Sequence, residues 1–262
     1  MVEVKTVRTT AFEMDYISFG TGTRTMVMIP GLSLHSVMLQ SDAVAGAYRI
    51  FHDRYTVFLF DRKHDIKAGY SLAGMAADTA EAMRALGLKD VDMIGFSQGG
   101  MIAMLIAAGF PELVHKLVLG STSAYPGESS RRIVERWAAM ASGDDVVKLN
   151  HEMFRQIYSP GYLEKYRNAF ARLENMGTRK EMDRLAVLAE ACLYHDARGC
   201  LDHIECPVFV LCSDSDELFP VSDSQYLASA TGGKLFVYEG FSHAVYDEAP
   251  DFKQRILDFL TE

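Results

Sequence analysis

The stretch V-D-M-I-G-F-S-Q-G-G-M-I-A-M, Val91 to Met104, sets a serine among glycines at the join of two apolar runs. The run before it, V-D-M-I (91–94), is of buried-strand type, and the run after it, G-G-M-I-A-M-L-I-A-A, is helix-like. Gly95-Phe96-Ser97-Gln98-Gly99 fits G-x-S-x-G, the pattern of a sharp strand-to-helix turn that holds a nucleophilic serine above the end of a sheet. Such a turn crowds its neighbours, and glycine relieves the crowding. The Gln98 amide then starts the following helix, where it can donate to a developing oxyanion. A phosphate loop is the competing reading. G-x-x-x-x-G-K-[ST] is absent, and G-x-G-x-x-G fails both here and at Gly20-Thr-Gly22.

Similar apolar runs lie on either side: T-M-V-M-I (25–29), Y-T-V-F-L-F (55–60), K-L-V-L (116–119), P-V-F-V-L-C (207–212) and K-L-F-V-Y (234–238). Runs of this kind suit a parallel sheet covered on both faces. Residues 2–19 alternate instead and read as two further strands, closed by the turn G-T-G-T. Between Ser71 and Gly87, Leu72, Met75, Ala76, Thr79, Met83 and Leu86 recur at helical spacing, with Ser71 suited to begin the helix and Gly87 to end it. Strand alternating with helix predicts an α/β sheet with right-handed crossovers. From about Ser121 to Gly199 the rhythm breaks. Four amphipathic patterns follow one another there without a strand-like run, and they predict about four helices inserted between two sheet strands.

With 262 residues, the chain fits one α/β domain carrying an insertion. Hydrophobic residues make up 49% and aromatic residues 11%, enough for a large core. The net charge of −9 argues against nucleic acid and against a polybasic membrane contact, since both need a basic face. No run approaches a membrane span, and the N-terminal M-V-E-V-K-T-V-R lacks the apolar stretch of a signal peptide. Cys192, Cys200, Cys206 and Cys212 are too widely spaced for C-x-x-C ligand pairs and read as reduced thiols. A cytoplasmic protein is expected, and a homo-oligomer is compatible with the composition.

A serine hydroxyl needs a base, and the base needs an orienting carboxylate. Behind a G-x-S-x-G turn the order is serine, acid, histidine, each on a loop past a later strand. After P-V-F-V-L-C comes S-D-S-D-E-L-F-P, offering Asp214 and Asp216; after K-L-F-V-Y comes E-G-F-S-H-A-V-Y-D-E-A-P, offering His243.

These residues resemble an α/β-hydrolase fold protein of the small, lid-bearing serine hydrolase type. The likeness rests on I-P-G-L (29–32), D-R (61–62), G-F-S-Q-G-G (95–100), S-D-S-D-E-L-F-P (213–220) and G-F-S-H (240–243), and it covers nearly the whole chain. It implies a mostly parallel eight-stranded sheet flanked by helices, with residues 1–120 and 200–262 as the core and 121–199 as a helical cap. The family's G-x-x-D-x-x-x-P pattern selects Asp216 over Asp214, with Ser213 in place of the glycine. The resemblance therefore implies Ser97, His243 and Asp216 as catalytic residues, and the amides of Leu32 and Gln98 as oxyanion donors. The family commonly has His-Gly where this chain has Pro30-Gly31. Relatives read R-G-x-G-x-S after the D-R pair; here Lys63 and His64 follow, and both are expected at the surface.

Gly31, Phe96, Trp137, Phe154 and Tyr158 are the candidates to touch substrate, although aromatic residues at helical spacing usually pack a core. Acyl transfer to water on a small or medium apolar ester follows, with no cofactor or metal required. His151-Glu152 lacks the second histidine of a zinc site. The same triad serves lactone, amide and C–C hydrolysis and a cofactor-free haloperoxidase or perhydrolase. A ligand-binding protein on a hydrolase fold is the alternative of another class.

Overall fold

A computed structural model describes residues 1–262. Eight strands form one sheet: β1 (Val4–Arg8), β2 (Glu13–Phe19), β3 (Arg24–Ile29), β4 (Tyr55–Lys63), β5 (Val91–Phe96), β6 (Val114–Gly120), β7 (Val208–Ser213) and β8 (Lys234–Tyr238). Their order across the sheet is β1-β2-β4-β3-β5-β6-β7-β8. The pairings β1–β2 and β2–β4 are antiparallel, and the rest are parallel. All eight runs read from the sequence are strands. The two alternating ones lie at one edge, and the apolar ones fill the middle, where both faces are covered.

The helices are α1 (Ser41–Ala47), α2 (Leu72–Ala85), α3 (Gln98–Gly109), α4 (Glu128–Ala141), α5 (Val146–Ile157), α6 (Pro160–Lys165), α7 (Arg167–Glu174), α8 (Arg179–Leu193), α9 (Val221–Thr231), α10 (Val245–Glu248) and α11 (Phe252–Thr261). Ser71 caps α2 by accepting from the Gly74 amide, as its position suggested. Alternate strand residues feed two cores. Val27, Ile29 and Met93 pack with α2, α3 and the inserted helices, while Met26, Met28, Ile94 and Phe96 pack with α11. No helix is long and apolar enough to cross a membrane.

The interval between β6 and β7 holds five helices rather than four. The single pattern Tyr162–Leu173 is broken at Tyr166, which leaves helical geometry (φ −112°, ψ 21°) to end α6 and begin α7. Tyr162, Tyr166 and Phe170, on either side of the break, line the same cavity.

Register fixes what comes next. Ile29 stands opposite Gly95, Phe96 opposite Gly120, and Ser213 opposite Tyr238. The loops leaving β3, β5, β7 and β8 therefore emerge along one edge of the sheet, where open α/β sheets bind their ligands.

Candidate active site

Ser97 follows β5 directly and has φ 52° and ψ −122°, a conformation that non-glycine residues rarely hold. It is over-determined locally: its amide donates to Gly120 O (2.9 Å), and its carbonyl accepts from Thr122 Oγ1 (2.8 Å) and the Gly100 amide (2.9 Å). The flanking glycines allow this packing. A Cβ on Gly99 would stand 2.0 Å from Ile29 O, and one on Gly95 would stand 2.4 Å from Gly99 O. Both contacts are with backbone, which cannot move aside.

His243 and Asp216 meet on the neighbouring loops, Nδ1 to Oδ2 at 2.8 Å, with both side chains almost fully buried. The other Asp216 oxygen accepts from the amides of Leu218 (2.8 Å) and Phe219 (3.1 Å), which fixes the carboxylate's direction. His243 Nε2 has no partner in the protein and makes no hydrogen bond with Ser97. Asp214 does something else. Its carboxylate is exposed and accepts from the amides of Gly240 (2.7 Å) and, at shorter range in sequence, the Ser215 hydroxyl (2.9 Å). The Gly240 amide and the Ser215 hydroxyl hold its pKa below the usual carboxylate value. Ser213, at the position where the resemblance led one to expect glycine, is fully buried, and its hydroxyl donates to Phe241 O (2.5 Å) while accepting from the Phe241 amide (3.1 Å). The serine braces the loop that carries His243.

The Leu32 amide has no partner within the protein. The Gln98 amide belongs to the first turn of α3, where no helical carbonyl can reach it. Gly31 adjoins the serine: a Cβ there would lie 3.2 Å from Ser97 Cβ and 3.8 Å from its Oγ. The Gln98 side chain points the other way. Its Nε2 donates to Leu188 O of α8 (2.7 Å), and its Oε1 accepts from Arg62 (2.9 Å). The same guanidinium nitrogen donates to Pro30 O (2.8 Å), so one buried cation ties the loop bearing Leu32 to the helix start bearing Gln98. Burial pushes Arg62 down to about 10, and it stays charged at neutral pH. Its neighbour Asp61 pairs with Arg184 of α8 at 2.6 Å.

Two cavities adjoin this point. One of about 20 Å³, room for a single water, is bordered by Leu32, Ser97, Gln98 and Trp137. The other, about 470 Å³, is bordered by Gly31, Leu32, Phe96, Phe154 and Tyr158 with other aromatic and aliphatic residues. The substrate-contact candidates thus divide between a tight apolar slot and a roomy one. The inserted helices grip the histidine loop as well: the Ala244 amide donates to Ile157 O (2.8 Å), and Glu248 accepts from the Ser159 amide (2.8 Å) and hydroxyl (2.5 Å). Lys63 and His64 border neither cavity. Lys63 pairs with Asp78 (2.8 Å) and is partly buried rather than free at the surface; His64, facing Asp15 (2.9 Å), is exposed. No three His, Cys, Asp or Glu side chains converge in a way that could hold a metal ion.

Sequence reading missed the Arg62 bridge and the aromatic contribution of Tyr246, whose ring stacks on Phe96 (4.8 Å) and stands edge-on to His243 (6.3 Å). The D-R pair was visible; that its arginine reaches Gln98 across 36 residues was not.

A family model described as the alpha/beta hydrolase fold matches residues 24–250. The chain belongs to that family, and it is a hydrolase. It is 25% identical over 221 residues to RutD of Caulobacter sp. (strain K31), which bears the name of a carbamate hydrolase, covering 79% of this chain and 81% of that one. It is 24% identical over 223 residues to 3-oxoadipate enol-lactonase 2 of Acinetobacter baylyi, covering 82% and 80%. The crystal structure of the enol-lactonase from Burkholderia xenovorans LB400 superposes with a TM-score of 0.86 over 98% of this chain and all of that one, at 20% identity. A likeness at that identity speaks for the fold.

Proposed function

We propose that the protein is a serine hydrolase that cleaves a carboxylic ester through an acyl-enzyme. The observation carrying this reading is the buried His243–Asp216 pair (2.8 Å) on the loops beside a serine held at φ 52°. Ser97 attacks the carbonyl as His243 Nε2 takes its proton. Asp216 keeps the imidazole in the tautomer with Nδ1–H and stabilises its charged form. The oxyanion receives the amides of Leu32 and Gln98, and the acyl group is carried on Ser97 Oγ after the alcohol leaves with the proton from His243. Water then attacks with His243 as base, and the acid departs.

Residues 121–199 act as a cap whose α5–α7 wall bounds the larger cavity. That lining contains no lysine or arginine, which argues against a substrate recognised by a free carboxylate. The favoured substrate is a medium-sized apolar ester. Lactone hydrolysis is the second reading, favoured by the enol-lactonase relatives. The test is a fluorophosphonate adduct read by intact mass. The adduct is expected on the wild type and absent in Ser97→Ala, and an adduct that persists in the variant refutes the nucleophile. Absence of any adduct favours the ligand-binding alternative.

A further inference from the structure

The larger cavity has one carboxylate in its lining, Asp247. Its surroundings are aromatic. Tyr158 and Tyr162 stack with ring centres 5.3 Å apart, and Tyr48 and Tyr246 border the same space. Asp247 Oδ2 accepts only a long hydrogen bond, 3.4 Å from the Tyr158 hydroxyl, and no cationic group lies within 4 Å of it.

The nearby charged groups are Lys253 and Glu248. Lys253 donates to Tyr246 O (2.9 Å) and lies over the Tyr48 ring (5.2 Å), so its ammonium is already engaged. Glu248 is committed to Ser159. Two acids thus face one lysine. Asp247 is exposed and forms no ion pair, so its charge is open to a ligand lying in the cavity it lines. An apolar ligand gains nothing from a carboxylate held there, and an anionic one is repelled. A cation with an apolar periphery fits both features, because ring faces attract it and the carboxylate neutralises it.

We propose that Asp247 and the rings of Tyr158, Tyr162 and Tyr246 form a subsite for an alkylammonium group, so that the preferred ester carries a cation on the side lying in the larger cavity. This rests on the serine hydrolase reading for its catalytic consequence. The subsite reaches the reacting centre through Tyr246, which packs against both Phe96 and His243.

The test compares esters that differ only by N⁺ against C. One pair varies the alcohol: 2-(trimethylammonio)ethyl butyrate against 3,3-dimethylbutyl butyrate. The other varies the acyl group: p-nitrophenyl 4-(trimethylammonio)butanoate against p-nitrophenyl 5,5-dimethylhexanoate. In the wild type, one pair favours the cation by about 10- to 100-fold in kcat/KM. In Asp247→Asn that ratio falls to within about threefold of unity. Each ratio is taken within one variant, so a general loss of activity cancels. Calorimetric binding of tetraethylammonium reads the subsite without turnover; it is expected for the wild type and for Ser97→Ala, and lost in Asp247→Asn. Ratios near unity for both pairs in the wild type, or a cation preference that survives Asp247→Asn, overturn the proposal. Tetraethylammonium binding without turnover of any ester supports the subsite and counts against the hydrolase reading alone.

Discussion

Arg62→Met tests whether the buried guanidinium positions the proposed oxyanion donors or merely fills space. The arginine is 4% exposed and donates to Pro30 O and Gln98 Oε1. Two charge-assisted bonds of about 1.5–3 kcal/mol each amount to roughly 3–6 kcal/mol. Against this stands the desolvation that lowers Arg62 from 12.5 to about 10, an offset of roughly 3 kcal/mol that methionine would not incur. The net destabilisation expected is therefore only about 0–3 kcal/mol, and the variant should fold. Activity should respond differently. Pro30 precedes the Gly31-Leu32 segment, and Gln98 bears the second proposed donor, so releasing both should blur the proposed oxyanion geometry. Full loss of one such donor costs about 10²–10³ in rate, and partial misplacement should lower kcat by about 10- to 100-fold with KM within about threefold. Arg62→Lys, able to reach one acceptor, should recover part of kcat. The assay is steady-state hydrolysis of a p-nitrophenyl ester well below the Tm of each variant, with the Tm measured alongside. A destabilised Arg62→Met with unchanged kcat would refute the positioning role, and so would a kcat loss not eased by lysine.

Asp216→Asn should lower kcat by about 10⁴ by removing the acceptor that sets the His243 tautomer, whereas Asp214→Asn should cost less than about tenfold; equal losses in ester kinetics would sink the assignment. Gly99→Ala should prevent folding or cost more than about 4 kcal/mol, because its Cβ would lie 2.0 Å from Ile29 O, as soluble yield and denaturant melts would register. Asp223 is buried, and burial together with the Asp216 charge raises its carboxyl from 3.8 to about 6. The folded state then holds this proton more tightly than the unfolded chain, so stability from this group is present at low pH and lost as pH rises through about 6. Asp223→Asn should remove that slope, leaving the variant more stable than wild type by roughly 1–3 kcal/mol at about pH 7, with little difference near pH 4, in denaturant melts. A gain that appears at the acid end would contradict the sign.

Much of this protein was legible from the sequence by itself. Buried strands, the α2 helix and its Ser71 cap follow from hydrophobic period and local turn chemistry, which act over a few residues. The G-x-S-x-G turn announced Ser97 in part for the same reason: Gly95 is crowded from within the turn by Gly99, whereas the crowding at Gly99 comes from Ile29 on the neighbouring strand. Family resemblance, rather than period, selected Asp216 over Asp214; what the tertiary structure adds is that Asp216 reaches His243 while Asp214 reaches Gly240. The break at Tyr166 escaped the pattern because an apolar stripe at helical spacing reads the same whether the helix is straight or bent. Arg62 bridging Pro30 and Gln98, and Asp247 left among aromatic rings, depended wholly on the tertiary structure. Each is a meeting of segments far apart in sequence, and whether a charge finds a partner depends on which backbone carbonyls and side chains the fold brings within about 3 Å, a distance no local pattern encodes.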